Sequence, residues 1–248
     1  MRILVTGHRG YIGSVLYRCL EGMPFGIDIK DGLDPENDIV TFKNLAKNQY
    51  DVIIHTAAKV SVVNSVANPY EDALVNVVGT VNLLKLFPKA KFVYLSTSCL
   101  YGEGFNHTED SPIKPESPYA LSKYIGEKYI QLLSKNPLIL RLGNVIGEGY
   151  RGEPNVYQIF AREKELTIYG DGLQTRDFVQ IATVCGAVEK GIKNNVSGIF
   201  NIGTGTSKTV LEVAKEFKKP YRFAPARRGE IHDFSLNVEK ARKAGLLW

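Results

Sequence analysis

Short apolar runs able to bury both faces of a strand recur along the chain: "RILVTG" (2–7), "FGIDI" (25–29), "DVIIHTAA" (51–58), "KFVYLSTS" (91–98) and "LILRLGNV" (138–145). Between most of them lie helical patterns, as at 12–20, 70–86 and 118–135. Strands that read as unbroken apolar runs are covered on both sides, and their alternation with helices makes βαβ units. The pattern therefore predicts an α/β chain built on a parallel sheet. After residue 145 the rhythm breaks into Gly-rich and charged stretches, with strand candidates at 166–169 and 198–202 and helices near 177–194 and 208–218. That change predicts a second, smaller lobe.

Directly after the first run comes "VTGHRGYIG", with Gly7, Gly10 and Gly13 at the start of a helix pattern. Glycines there allow a tight turn and let backbone N–H groups approach a pyrophosphate at the helix N-terminus. The expected fold is a Rossmann-type doubly wound parallel sheet, formed by 1–143 and 176–195, with a small C-terminal substrate-binding lobe of 144–175 and 196–248. Asp28 ends the second run about 20 residues on, where a carboxylate can hold both ribose hydroxyls of NAD. Arg9 and Lys30 leave NADP open, since either can meet a 2′-phosphate. Asp38 and Ile39 are placed to flank an adenine. Ala57 and Ala58 follow what is read as the fourth strand, with side chains small enough for a backbone passing close to the cofactor.

Composition narrows the class. With 248 residues and 44% hydrophobic content the chain can bury a large core. Its 31 basic and 26 acidic residues give a net charge of +5 spread along the sequence, which suits anionic small molecules better than nucleic acid. Cys19, Cys99 and Cys185 are far apart and lack metal-ligand spacing, so neither a disulfide framework nor a metal site is expected, and a reducing compartment fits. "MRILVTG" enters a strand directly and no run of about 18 apolar residues occurs, so a cytoplasmic protein without a membrane partner is expected.

"SPYALSKYIGEK" (117–128) puts Tyr119 and Lys123 four apart on one helix face, with Ser117 able to cap it. A lysine charge beside a phenol, whose reference pKa is about 10, favours the phenolate and brings proton transfer towards neutral pH. In "YLSTSCLYG" (94–102) an apolar strand dissolves into Ser96, Thr97 and Ser98, then Cys99. Ligands bind outside the carboxyl ends of parallel strands, so these hydroxyls face the cleft.

With "TGHRGYIGS", "VIIHTAA", "NPYEDALVNVVGTVNLL", "FVYLSTSCLYG", "SPYALSKYIGEKY", "LRLGNVIGEG", "LTIYGDGLQTRDFV", "FNIGTG" and "PARRGEI" in this order, the chain resembles an extended short-chain dehydrogenase/reductase of the nucleotide-sugar epimerase and dehydratase superfamily over nearly its whole length. The resemblance implies NAD, a nucleotide-diphosphate sugar and a homodimer. It implies that Thr97 hydrogen-bonds the sugar hydroxyl whose proton Tyr119 takes, and that Lys123 also binds the nicotinamide ribose. It extends the cofactor set to Tyr11, Ile12, Lys59 and Asn76. It implies that Ser98, Asn144 and Asn155 lie at the substrate and that Arg176 and Arg227 grip its diphosphate. Family 4,6-dehydratases carry Asp where this chain has Ser98, and they and the decarboxylating relatives carry Glu where it has Cys99. The 4-epimerases need only the Tyr, Lys and Ser/Thr set. GDP-fucose synthase and GDP-mannose 3,5-epimerase have a catalytic Cys at the place of Cys99, with a His or Lys opposite where this chain aligns Asn155. Cys99 is thus either an acid/base or a small packing residue. His55 reads as a satisfied strand-end histidine. Dimerisation is expected through the helices at 118–135 and 70–86, where Ala73, Val77, Ala120 and Gly126 suit close packing. The chain departs from the family in being short, with 26–38 compressed and an end at "KARKAGLLW" where others continue. Three functions follow: a 4-epimerase with NAD, a 4-keto-sugar reductase or 3,5-epimerase/reductase with NADPH, and a non-catalytic dinucleotide-binding regulator.

Overall fold

A computed structural model describes residues 1–20, 24–32, 34–44, 49–147, 155–226 and 232–248. Its first half runs β1 (Ile3–Thr6), α1 (Tyr11–Cys19), β2 (Phe25–Ile27), β3 (Val52–His55), α2 (Val62–Ala67), α3 (Pro69–Ala73), a π-helical segment (Leu74–Gly79), α4 (Thr80–Leu86), β4 (Lys91–Thr97), β5 (Gly104–His107) and α5 (Pro118–Leu133). There follow β6 (Leu138–Leu142), β7 (Asn144–Ile146), α6 (Val156–Arg162), β8 (Leu166–Tyr169), β9 (Thr175–Arg176), β10 (Phe178–Gln180) and α7 (Ile181–Lys193). The chain closes with β11 (Gly198–Ile202), β12 (Lys208–Thr209), α8 (Val210–Glu216), β13 (Tyr221–Ala224), β14 (Phe234–Leu236) and α9 (Glu239–Lys243).

Six parallel strands form the central sheet in the order β11-β6-β4-β3-β1-β2. β1, β3 and β6 are buried at every position, as their apolar runs require of strands covered on both faces. One core, including Val5, Ile54, Leu95, Leu140, Val184 and Val188, packs under α1 and α7; the other, including Leu4, Ile53, Phe92, Leu83 and Ile130, packs under α4 and α5. The chain leaves β1 for β2 on one side and returns to β3 on the other. This reversal opens a crevice beyond the carboxyl ends of β1 and β3. A third core of Ile146, Phe160, Leu166, Ile168, Phe178, Val210 and Val213 belongs to the smaller lobe.

Four expectations change. Residues 198–202, assigned to the lobe, form the edge of the main sheet, because "GIFNI" pairs in parallel with β6 and buries its last three residues. Among the described residues no strand lies between Ile27 and Val52, so Ala57 and Ala58 follow the third strand rather than the fourth. The pattern at 70–86 is not one regular helix: its middle is a π segment, a form that concentrates at functional sites, and it turns Asn76 and Gly79 inward. Ala120 and Gly126 face the interior, and a Cβ on Gly126 would stand 2.5 Å from the Tyr94 hydroxyl oxygen.

A buried ion pair fastens α5 to the sheet. Arg141 on β6 reaches Glu127 on α5 through Nη2 at 2.8 Å and Nε at 3.1 Å, both side chains being almost fully enclosed. Ser96 donates to the same carboxylate. Arg141 Nη1 donates to the Tyr101 hydroxyl at 2.8 Å, which donates in turn to Asn201 Oδ1 at 2.7 Å on β11. Removing one partner of such a pair strands the other charge in an apolar interior. Arg141→Met should therefore cost about 3–5 kcal/mol in urea unfolding, whereas a loss within 1 kcal/mol, the scale of a surface pair, would mean that water compensates Glu127.

Candidate functional site

The crevice is built where two loops touch without side chains between them. Gly7 has φ +72°, and a Cβ on it would lie 2.7 Å from the Ala57 nitrogen. On Gly13 a Cβ would lie 2.2 Å from the Gly7 carbonyl oxygen and 2.5 Å from Thr56 Oγ1. Gly10 precedes α1 with no side-chain cap, and the first turn holds no acidic residue, which leaves backbone N–H groups and the positive end of the helix dipole for an anion. Tyr11 and Ile12 serve this turn through their backbone. The Ile12 side chain packs against the main core, and burial pushes the pKa of the Tyr11 phenol up, with nearby Gln158 acting the other way.

Asp28 stands at the end of β2, 8% exposed. Its carboxylate accepts from the Arg9 and Lys30 backbone nitrogens, each at 3.0 Å. The Arg9 guanidinium pairs with Asp31, which also lies 3.6 Å from His8 Nε2. Two carboxylates thus surround the place of a 2′-phosphate. Asp38 holds the Val40 nitrogen at 2.9 Å, while the Ile39 side chain is in the core over Gly79. The pair can meet an adenine only through the Asp38 carboxylate and the backbone.

Ala57, Ala58 and Lys59 continue from β3 along the crevice. Asn76, expected against the cofactor, is 1% exposed and clamps this loop instead: Oδ1 accepts from the Lys59 nitrogen at 2.9 Å and Nδ2 donates to the Lys59 oxygen at 3.0 Å. The same amide faces Asp72 Oδ1 and Ser122 Oγ, both at 3.1 Å. The Lys59 ammonium points out to Glu71 at 3.4 Å.

The sequence around α5 aims the reactive pair. Ser117 caps the helix by accepting from the Ala120 nitrogen at 3.1 Å, Pro118 fits its first position, and the Tyr119 nitrogen donates to Ser65 Oγ at 3.1 Å. Tyr119 and Lys123 are both buried, one turn apart. The Thr97 oxygen accepts from the Cys99 nitrogen at 3.2 Å and closes the 98–101 turn. Burial raises the Tyr119 pKa above the ordinary tyrosine value, the nearby Cys99 adds to this, and the neighbouring Thr97 hydroxyl opposes it. Burial lowers Lys123 to about 7, against the pull of Glu127 and Asp72. Its Nζ lies 3.9 Å over the Tyr94 ring. Ser98 is buried at the start of the turn, and Cys99 is half-buried.

His55 is satisfied, as its place at a strand end suggested. Thr80 spends its proton on the Asn76 carbonyl at 2.7 Å, so the His55 Nε2–H must donate to Thr80 at 2.9 Å and Nδ1 accepts from Thr6 at 2.8 Å. Burial and the neighbouring Lys123 lower its pKa to about 3. The imidazole is therefore a neutral strut at neutral pH and leaves Lys123 as the local cation.

Towards the smaller lobe lies a cavity of about 1140 Å³, bordered by Val62 of α2 and by Asn144, Asn155, Tyr169, Gln174 and Arg176. Thr97, Tyr119 and Lys123 are not part of its lining. Arg162, Lys164 and Arg222 line its wall together with Glu163 and Glu165; the three cations sit in mixed-charge stretches with no spacing to mark them. Gln174 donates to the Tyr169 carbonyl, and its Oε1 is buried without a hydrogen-bond partner, an acceptor left for a ligand. Arg176 donates to the Thr175 carbonyl at 2.7 Å. The Asp177 carboxylate is held by Thr204 and Gly205. Asn155 is not a free substrate ligand: Oδ1 caps α6 through the Tyr157 and Gln158 nitrogens and Nδ2 donates to the Val145 oxygen. Arg227 lies outside the described residues.

Comparison with known proteins gives a consistent picture. The family model "NAD dependent epimerase/dehydratase family" matches residues 3–203. A putative UDP-glucose 4-epimerase of Methanocaldococcus jannaschii is 36% identical over 282 positions, covering 98% of this chain and 92% of its own length. Among solved structures, a UDP-glucose 4-epimerase of Thermotoga maritima with UDP-glucose superposes with a TM-score of 0.87 at 29% identity, and one of Thermus thermophilus in complex with NAD with 0.84 at 29%, each covering 99% of this chain and 93% of the other. Because 282 aligned positions span a chain of 248 residues, the shortness lies within the chain rather than only at "KARKAGLLW".

NAD fits the residues present. Gly7 and Gly13 keep clear a cradle that a Cβ would fill, α1 offers bare N–H groups, and Asp28 supplies a ribose acceptor beside a second carboxylate that disfavours NADP. Hydrogen bonds to a charged group contribute about 1.5–3 kcal/mol, so Asp28→Ala should weaken NAD about 10- to 100-fold by calorimetry. Unchanged affinity would restrict Asp28 to holding the Arg9 and Lys30 backbone.

Proposed function

Because the chain belongs to the NAD dependent epimerase/dehydratase family, we propose that it is a nucleotide-sugar 4-epimerase. It acts on a hexose carried by a nucleoside diphosphate, through a transient 4-keto sugar, with the UDP-hexoses its relatives are named for as first candidates. The observation that carries this reading is a buried Thr97, Tyr119 and Lys123 set followed by Ser98 and Cys99, with no carboxylate at either position to drive elimination or decarboxylation.

NAD held by the Gly7–Gly13 turn and Asp28 would supply the acceptor and donor of the hydride that leaves one face of the sugar carbon and returns to the other. The chain's own residues handle the proton. Thr97 holds the 4-hydroxyl, Tyr119 takes its proton, and the Lys123 ammonium favours the phenolate long enough for the exchange. Tyr119 then returns the proton to the same oxygen. Cys99 needs no step: its backbone nitrogen fixes the Thr97 hydroxyl. Arg176, Arg222 and Gln174 Oε1 supply donors and an acceptor for the diphosphate and base, and Asn144 borders the sugar. The NADP-dependent reductase reading is weakened by Asp28 and Asp31, and by Asn155 being spent on a cap.

A homodimer belongs to the same proposal. Tyr70 and Val78 on the helices at 69–86, with Leu121, Tyr129 and Leu132 on α5, form exposed apolar faces on adjacent helices that a second copy would cover. A cytoplasmic setting accords with three free cysteines.

Purified protein with NAD should interconvert UDP-glucose and UDP-galactose, or another hexose pair on UDP, dTDP or GDP, as read by chromatography of the nucleotide sugars. Tyr119→Phe should lower kcat by about 10²–10⁴ with NAD still bound. Absence of interconversion for every pair would sink the epimerase reading, and full activity of Tyr119→Phe would sink its mechanism. Sedimentation of the same preparation should give two chains per particle, and a monomer at micromolar concentration would refute the pairing.

A further inference from the structure

Beside α2 the chain leaves a second pocket of about 460 Å³, lined by Lys59, Ser61, Asn64, Ser65, Asn68 and Asp72 among others. Its floor touches α5 at two points. Ser65 accepts from the Tyr119 nitrogen. Asp72, 2% exposed, joins a ladder in which Asn76 Nδ2 faces both Asp72 Oδ1 and Ser122 Oγ at 3.1 Å, and Ser122 donates to the Tyr119 carbonyl at 3.0 Å. Asp72 Oδ2 is buried with no hydrogen-bond partner. A bare carboxylate oxygen in the interior is costly unless it compensates a charge or meets a ligand.

Through this ladder Asp72 is tied to the helix of Tyr119 and Lys123, and it raises the pKa of both. Lys123 lies one turn from Tyr119 and from Glu127 on α5, its Nζ sits over the Tyr94 ring of β4, it acts on His55 of β3, and Glu127 and then Asp72 of α3 raise its pKa. Glu127 is already neutralised by Arg141. His55 is locked neutral by Thr6 and Thr80, and burial raises the pKa of the Tyr94 phenol well above its ordinary value, so neither supplies a charge. Of the two carboxylates that raise Lys123, Glu127 is spent on Arg141 while Asp72 keeps one oxygen without a hydrogen-bond partner.

We propose that Asp72 is a positioning residue for the proton transfer, its carboxylate keeping one proton on the Tyr119–Lys123 pair so that Lys123 stays an ammonium. The inference rests on the reading above in taking that pair as the reactive one. The sign is fixed by electrostatics: a negative charge raises the pKa of each group it faces, and its removal lowers both steps of the pair's titration.

The test uses the full chain with ¹³C-labelled lysine. The Lys123 Cε resonance, identified by its loss in Lys123→Met, is titrated by NMR in parent and Asp72→Asn, which keeps a carbonyl to accept from Asn76. The parent midpoint is expected near 7, and Asp72→Asn should lower it by about half a unit or more, with the acid limb of kcat/KM moving the same way and Asp72→Glu restoring both. If Asp72→Asn does not fold, Asp72→Ser, whose hydroxyl also accepts from Asn76, is read in its place. A Lys123 titration unchanged in the charge-removed variant overturns the proposal and makes Asp72 a structural acceptor, whatever happens to the rate. Because the NMR titration needs no substrate, failure to find an epimerase product would count against the functional reading and not against this one.

Discussion

The crevice exists because the backbone of residues 7–13 lies directly against Thr56 and Ala57, with no room for a Cβ at Gly7 or Gly13. That contact sits where the chain reverses its direction across the sheet, so it also sets the distance between the bare start of α1 and the loop 57–59. Asn76 carries the constraint further. It clamps Lys59 with both ends of its amide and reaches Ser122 on the helix that bears Tyr119 and Lys123, which makes the 57–59 loop and α5 one framework.

Within that framework the polar groups are arranged so that one buried cation stands beside one phenol. Glu127 is balanced by Arg141, and His55 is fixed neutral between two threonines. Burial alone would strip the proton from Lys123 and keep it on Tyr119. The surrounding carboxylates counter the first effect and the Thr97 hydroxyl counters the second. Burial still prevails at both, leaving Lys123 near 7 and Tyr119 above the ordinary tyrosine value.

Much of this was legible in the residues. Unbroken apolar runs marked strands covered on both faces, the glycine spacing marked the first turn, and Tyr119 and Lys123 share a face because a helix repeats every 3.6 residues. What escaped depends on partners distant in sequence. "GIFNI" reads the same at a sheet edge or in a lobe until β6 lies beside it. A π turn has no signature separate from a helix, so the inward aim of Asn76 was hidden. Asn155 looked like a ligand because a polar residue before a helix is equally a cap, and the capping box with Gln158 decides it. Arg162 and Arg222 carry no motif, and only the fold brings them to one wall.

The central claim is that a buried Tyr–Lys pair, with no carboxylate at positions 98 and 99, handles only the 4-hydroxyl proton while a hydride leaves one face of the sugar carbon and returns to the other. The most direct measurement follows deuterium placed at C4 of UDP-glucose, or of whichever nucleotide hexose turns over, through to the product with NAD bound. Retention of the deuterium at C4 of the epimer, with none in water and no net reduced cofactor, is the predicted result. Loss of the label to solvent, or a product formed with proton exchange at a neighbouring carbon, would contradict it and return Cys99 to the chemistry.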